Sequence, residues 1–102
     1  MVSEEQAVQA AREFLLRMYG DGPPTIIIEP EKTIEYDIAW GIRFDSSERR
    51  ETGDMTRAPL QRVVLVPKDG SSPHFPPTAI PTAEYLEQIR SRGEWPHTAH
   101  DP

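Results

Sequence analysis

The chain has 102 residues, 11 Lys and Arg against 17 Asp and Glu, a formal net charge of −6 and no cysteine. That length supports one modest core; disulfides and thiolate zinc sites are excluded. The acidic balance, with no basic stripe interleaved with aromatics, speaks against a nucleic-acid partner and for a basic protein.

The start, Met1–Glu5, is acidic where a signal peptide is basic and then apolar. The longest aliphatic runs, Ile26–Ile28 and Val63–Val66, fall far short of the ~20 residues of a membrane helix. A cysteine-free domain this small is expected in the cytoplasm, and no membrane partner is expected.

Ser3 and Gln6 fit a capping box, with Glu4 and Glu5 where the helix dipole favours anions. Ala7, Ala10, Ala11, Phe14, Leu15 and Met18 recur at three- and four-residue spacing, which predicts an amphipathic helix over residues 4–19. Gly20 suits its end, and Asp21-Gly22-Pro23-Pro24 prevents continuation.

Thr25–Glu29 predicts a short strand that Pro30 keeps at an edge. Ile34, Tyr36, Ile38, Trp40, Ile42 and Phe44 then alternate with Glu35, Asp37, Ala39, Gly41 and Arg43. This period of two predicts one long strand with its large side chains buried and its other face open to solvent or a partner. Residues 45–59 read as a long charged loop, and a loop of that length is often functional. Gln61–Val66 predicts a third strand, followed by a turn at Lys68-Asp69-Gly70-Ser71. Residues 72–79 add an extended piece that Pro73, Pro76 and Pro77 bar from a central position.

A second helix is expected over residues 81–92, with Pro81 in its first turn, Tyr85, Leu86 and Ile89 as its apolar stripe, and Gly93 as its cap. Residues 94–102 read as a mobile tail, from which Trp95 can fold back. The expectation is a single α+β domain over residues 1–93, of order α-β-β-β-α. Its antiparallel sheet has three to four strands, with both helices packed on one face.

The residues offer little for catalysis. Glu35 and Asp37 sit side by side on one strand face, but paired acids need a shared cleft, and a solvated sheet face is the simpler reading. His97, His100 and Asp101 lie in the tail with no ordered third ligand implied, and His74 reads as a loop residue. The serines lack a nucleophile elbow, and the isolated glycines make no phosphate loop. No enzyme, cofactor or metal is expected.

One resemblance covers nearly the whole chain. The amphipathic helix is followed by the pair Trp40-Gly41 with Phe44 shortly after, then a polar loop containing Glu51 to Asp54 and the step Ala58-Pro59. The strand Val63–Val66, the run Lys68-Asp69-Gly70 and a helix opened by Pro81 and carrying Glu84-Tyr85-Leu86 complete it. In these features the sequence resembles the immunity protein 35 family of bacterial polymorphic toxin systems, whose domain is also called YrhB-like. The approach Ala58-Pro59-Leu60-Gln61-Arg62, without glycine, and the proline-rich Pro76-Pro77 segment depart from that pattern.

The resemblance implies a small cytosolic antidote that binds and blocks a toxin. An acidic antidote steers itself onto a basic toxin domain. The excess of Glu29, Glu31, Glu35 and Asp37 over Lys32 places the expected partner-binding surface on Glu35, Asp37 and Arg43 of the long strand and on Asp45, Glu48, Glu51 and Asp54 of the loop. The open edge at Thr25–Ile28 allows a monomer or a weak homodimer. Two alternatives stay open: a chaperone-like module with an apolar patch drawn from Ile26–Ile28, Phe75 and Trp95, and a hydrolase using Glu35 and Asp37.

Overall fold

The computed structural model describes residues 1–20, 25–53, 62–77, 79–93 and 95. The turn at 21–24, the Ala58-Pro59 step, Asp54, Gln61, His97, His100 and nearly all of the tail lie outside these residues.

Helix α1 spans Glu4–Tyr19, as its spacing predicts. The Ser3 hydroxyl accepts from the Gln6 amide at 3.2 Å, and the Gln6 side chain accepts from the Ser3 amide at 2.9 Å. This reciprocal cap contributes about 1 kcal/mol. Ala7, Ala11 and Leu15 are buried, and the two alanines let the helix lie close to the sheet. Met18, expected in the stripe, is 56% exposed instead.

The strands are β1 (Ile26–Ile28), β2 (Ile34–Glu35), β3 (Ala39–Ser46) and β4 (Val63–Pro67), all antiparallel to β3. The predicted long strand is a correction. It is a hairpin, in which Ile34 faces Gly41 and Glu35 faces Trp40, closed by the Tyr36 amide donating to the Ala39 carbonyl at 2.9 Å. The two-residue turn Asp37–Ile38 exchanges odd for even positions, so Ile34 shares a face with Gly41 rather than with Trp40 and is left 41% exposed. At Gly41 a Cβ would stand 3.0 Å from the Tyr36 ring, so any larger residue requires that ring to shift.

β1 and β2 lie along one edge of β3, with a 3₁₀ turn at Pro30–Lys32 looped out between them, and β4 lies along the other edge. Beyond β4, His74 pairs with Leu65 through two backbone hydrogen bonds, so residues 72–77 extend the sheet at its margin, as their prolines predict. The long loop is a second correction. Residues 45–46 complete β3, and Ser47–Thr52 form a short helix, α2. The Ser46 hydroxyl caps it by accepting from the Arg49 amide at 3.1 Å, and Gly53 ends it in the left-handed region.

Helix α3, Thr82–Arg92, follows Pro81 and ends at Gly93. The α+β class and the helix-sheet-helix order are as expected, but the two helices take opposite faces of the sheet. Ile42, Phe44, Val64 and Val66 pack against α1, and Ala39 and Leu65 pack against Tyr85, Leu86 and Ile89 of α3. The reason lies in β4, whose unbroken run Val63–Val66 is apolar on both sides and needs cover on both. Phe44, fully buried, contributes about 2–3 kcal/mol to the α1 side. No helix among the described residues is long and apolar enough to cross a membrane.

Candidate functional site

The expected partner-binding residues fall into two groups at opposite ends of β3, roughly 25 Å apart along an extended strand. Glu35 and Asp37 stand at the hairpin end. Their side chains are 60% and 71% exposed, and each faces one cation: Glu35 accepts from Lys68 at 2.6 Å, and Asp37 from Arg90 of α3. The Lys68 ammonium also rests 5.0 Å from the Trp40 ring centre, and the Trp40 indole donates to the Val2 carbonyl at 3.0 Å. The Asp37–Arg90 pair, open on both sides, is worth about 0–1 kcal/mol, so Asp37 exchanges its partner at little cost, whereas Glu35 answers a Lys68 side chain that is only 13% exposed.

Between the hairpin turn and the end of α3 lies a cleft of about 280 Å³. Ile38, Ile89 and Trp95 give it apolar walls, and Asp37, Asp69, Lys68 and Arg90 a rim of two acids and two bases. A hydrogen bond from Ser71 holds the Asp69 carboxyl below its ordinary range, so it is ionised at neutral pH. The cleft has room for one amphipathic side chain, its stem on the apolar wall and its polar head at the rim. A second apolar cleft, of about 260 Å³, separates α1 from the edge of β1 and is lined by Leu15, Leu16, Ile26 and Ile28.

The other group is mainly structural. Asp45 is fully buried. Its Oδ2 accepts from Arg49 Nε at 2.6 Å, again from Arg49 Nη2, and from Arg62 Nη2 at 3.4 Å, while Oδ1 accepts from the Ser46 amide at 2.8 Å. The Arg49 hydrogen bond, against the opposing effect of burial, holds the Asp45 carboxyl below its ordinary range. Glu48 clamps α2 to the start of β1, accepting from the Thr25 amide and hydroxyl, each at 2.9 Å. Glu51 is exposed and accepts from the Ser47 hydroxyl at 3.3 Å, Arg43 is half-buried, and Asp54 lies outside the described residues. Buried Glu29 faces Lys32 at 3.7 Å.

Sequence reasoning passed over Lys68, Arg90, Arg49 and Arg62, the cations that answer these acids. The spacing Asp45–Arg49, one helical turn, was the available signal for one of them.

Among the described residues no three His, Cys, Asp or Glu side chains converge as metal ligands. His74 is part of the packing between the sheet margin and α3. Its Nδ1 donates to the Ser72 carbonyl at 3.0 Å, which leaves Nε2 to accept from the Tyr85 hydroxyl at 2.9 Å, and Trp95 packs edge-on at 5.2 Å. Burial pushes the ring below its ordinary value, against the pull of the Ser72 carbonyl. With the folded value depressed, the stability carried by the neutral ring is whole above about pH 6.5 and is lost as pH falls through the folded value. The urea midpoint is expected to fall as the pH drops below about 6.5, and His74→Gln to flatten that decline. An unchanged decline in the variant would contradict the assignment.

Ile26, Ile28 and Phe75 are half-buried against the core and Ile27 is half-buried, so the apolar patch a chaperone-like module would need is not assembled from them. The exposed large hydrophobics among the described residues are Met1, Leu16, Met18 and Ile34.

No curated protein and no solved structure matches the chain. The family model described as immunity protein 35 matches residues 5–88, from the first turn of α1 into α3. With four-fifths of its length so matched, this chain belongs to the immunity protein 35 family.

Proposed function

We propose that this protein is a cytoplasmic antidote that binds a cognate bacterial toxin and neutralises it by contact, catalysing no reaction of its own. The family match over residues 5–88 is the observation that carries this reading. Family membership points to a protein partner, and the exposed acids support a basic one. Glu31, Glu35 and Asp37 are exposed along the β1–β2 edge and the hairpin turn, beside the cleft walled by Ile38, Ile89 and Trp95. Exposed acids beside an apolar cleft with a rim of mixed charge suit a basic toxin domain that lays one Lys or Arg stem on the apolar wall. In a chain of net charge −6 the wider field adds to that attraction and speeds encounter. The chain meets that partner as a monomer or a weak homodimer.

Co-purification from native cells, followed by mass measurement of the complex, tests the reading. The expected product is one copy of this chain with one copy of a basic toxin domain, the toxin being encoded beside it. Recovery of the chain alone, with a housekeeping gene as its neighbour, would overturn the proposal.

A further inference from the structure

The sheet guards its edges unevenly. Beyond β4 the margin carries Pro73, Pro76 and Pro77, β2 is only two residues long, and the 3₁₀ turn Pro30–Lys32 loops out beside it. β1, Ile26–Ile28, has no such protection along its length. At its two ends the Ser47 amide donates to the Thr25 carbonyl at 2.8 Å, and the Glu29 amide to the Arg43 carbonyl at 2.9 Å. Bonded pairs alternate along an antiparallel ladder, so Ile27–Asp45 is bonded as well. The N–H and C=O groups of Ile26 and Ile28 therefore point outward, away from β3, and no described residue bonds to these four groups. The apolar cleft of about 260 Å³ runs along the same edge, with Ile26 and Ile28 on one side and Arg12 and Leu16 of α1 on the other. Leu16 is 54% exposed there.

We propose that this edge pairs with the same edge of a second copy of the chain, making a two-fold dimer centred on Ile27. The register selects a second copy. Set antiparallel about Ile27, each Ile26 lies opposite the other copy's Ile28, so every outward group of both strands is bonded. Two residues further out in either direction the sequence has Pro24 and Pro30, which carry no N–H, so no shifted register makes as many bonds. α1 packs over Ile42 and Phe44 of β3, so pairing sets the two α1 helices on one face of a continuous sheet, roughly 14 Å or three strand spacings apart. The two clefts then close into one, floored by four isoleucines, and the two Leu16 side chains meet above them. Leu16 stands midway between Arg12 and Gly20 along the cleft, so Arg12 faces the C-terminal end of the other copy's helix, where the dipole favours a cation. No acid of the edge meets another acid, because Glu29 falls opposite Thr25. Strands of three residues bury less than the roughly 1,200 Å² of stable interfaces, so the pair is weak, with a dissociation constant on the order of 10–100 μM, and parts on dilution. Each hairpin stands at the far end of β3 from the two-fold axis, so its acids stay free, and the pairing and the toxin contact stand or fall separately.

Sedimentation equilibrium of the full chain, at concentrations up to about 1 mM, tests the pairing. A reversible monomer–dimer equilibrium is expected. Raising salt should tighten it by screening the repulsion between two chains of charge −6, the opposite of the salt effect expected for toxin binding. Leu16→Lys and Leu16→Glu, at a position exposed enough to leave the fold intact, should each be monomeric, because the two-fold sets like charges together. Mixed one to one, the two variants should pair again. In amide hydrogen exchange Ile26 and Ile28 should gain protection as concentration rises, whereas Ile27 is protected throughout. A chain that stays monomeric, an assembly that both Leu16 variants leave unchanged, or growth beyond two copies overturns the proposal. A mixture of the variants that does not pair removes Leu16 from the axis and overturns the register. Protection of Ile26 and Ile28 that appears only when the toxin is added assigns the edge to that protein and overturns the dimer.

Discussion

Asp45→Ala is expected to destabilise the fold by about 3 kcal/mol, the low end of what breaking a buried ion pair costs. The low end applies because the Arg49 and Arg62 side chains are 26% and 32% exposed, so water recovers part of what they lose. The carboxylate, by contrast, is wholly buried, and it joins the end of β3, the cap of α2 and the approach to β4. Small domains have only about 5–15 kcal/mol in total, so a large share of the stability goes with this one side chain. Urea denaturation at neutral pH measures it. Acid should reproduce the effect in the native chain: the folded Asp45 value is depressed, so its contribution is whole above about pH 3.9 and is lost as pH falls through the folded value. Asp37→Ala, at a 71% exposed partner of Arg90, is the control and should cost about 0–1 kcal/mol. Equal losses in the two variants would contradict the division between structural and surface acids.

Reversing both surface acids, Glu35→Lys with Asp37→Lys, is expected to weaken toxin binding roughly tenfold to a hundredfold, because like charges set against a basic partner cost several kcal/mol at worst and about 1.4–3 kcal/mol at an exposed rim. The loss should fall mainly on the association rate and shrink as salt is raised, since exposed charges are screened within about 8 Å at physiological ionic strength. The cost to folding should fall on Glu35→Lys, which sets an ammonium against the 13% exposed Lys68, and little on Asp37→Lys, whose partner Arg90 is 53% exposed. Surface plasmon resonance at two salt concentrations separates these effects. A salt-independent loss, or none, would move the interface away from the hairpin.

The helices were legible in the sequence almost residue by residue, because their ends carry chemistry of their own: Ser3 and Gln6 at the start of α1, Gly20 after it, Pro81 before α3 and Gly93 beyond it. The hairpin was not. Its turn, Asp37–Ile38, has neither glycine nor proline, and a two-residue turn preserves the alternation of letters while exchanging the faces they stand on. Ile34 and Tyr36 thus read as continuous with Trp40 and Ile42, although they lie on the opposite side of the sheet. Burial of Asp45 was equally hidden, since a string of alternating charges looks solvated until Arg49 and Arg62 are folded onto one of its members. Of the expected binding residues, Glu35 and Asp37 are placed together on an accessible surface, whereas Asp45 and Glu48 hold the scaffold that presents it.

Stoichiometric inhibition is the sharpest trial of a function that works by grip alone. The purified chain titrated against the proposed toxin should abolish toxin activity at one equivalent, with full activity returning once the complex is denatured and the toxin refolded. If substoichiometric amounts suffice, or the released toxin comes back cleaved or modified, this chain is a catalyst and the account fails.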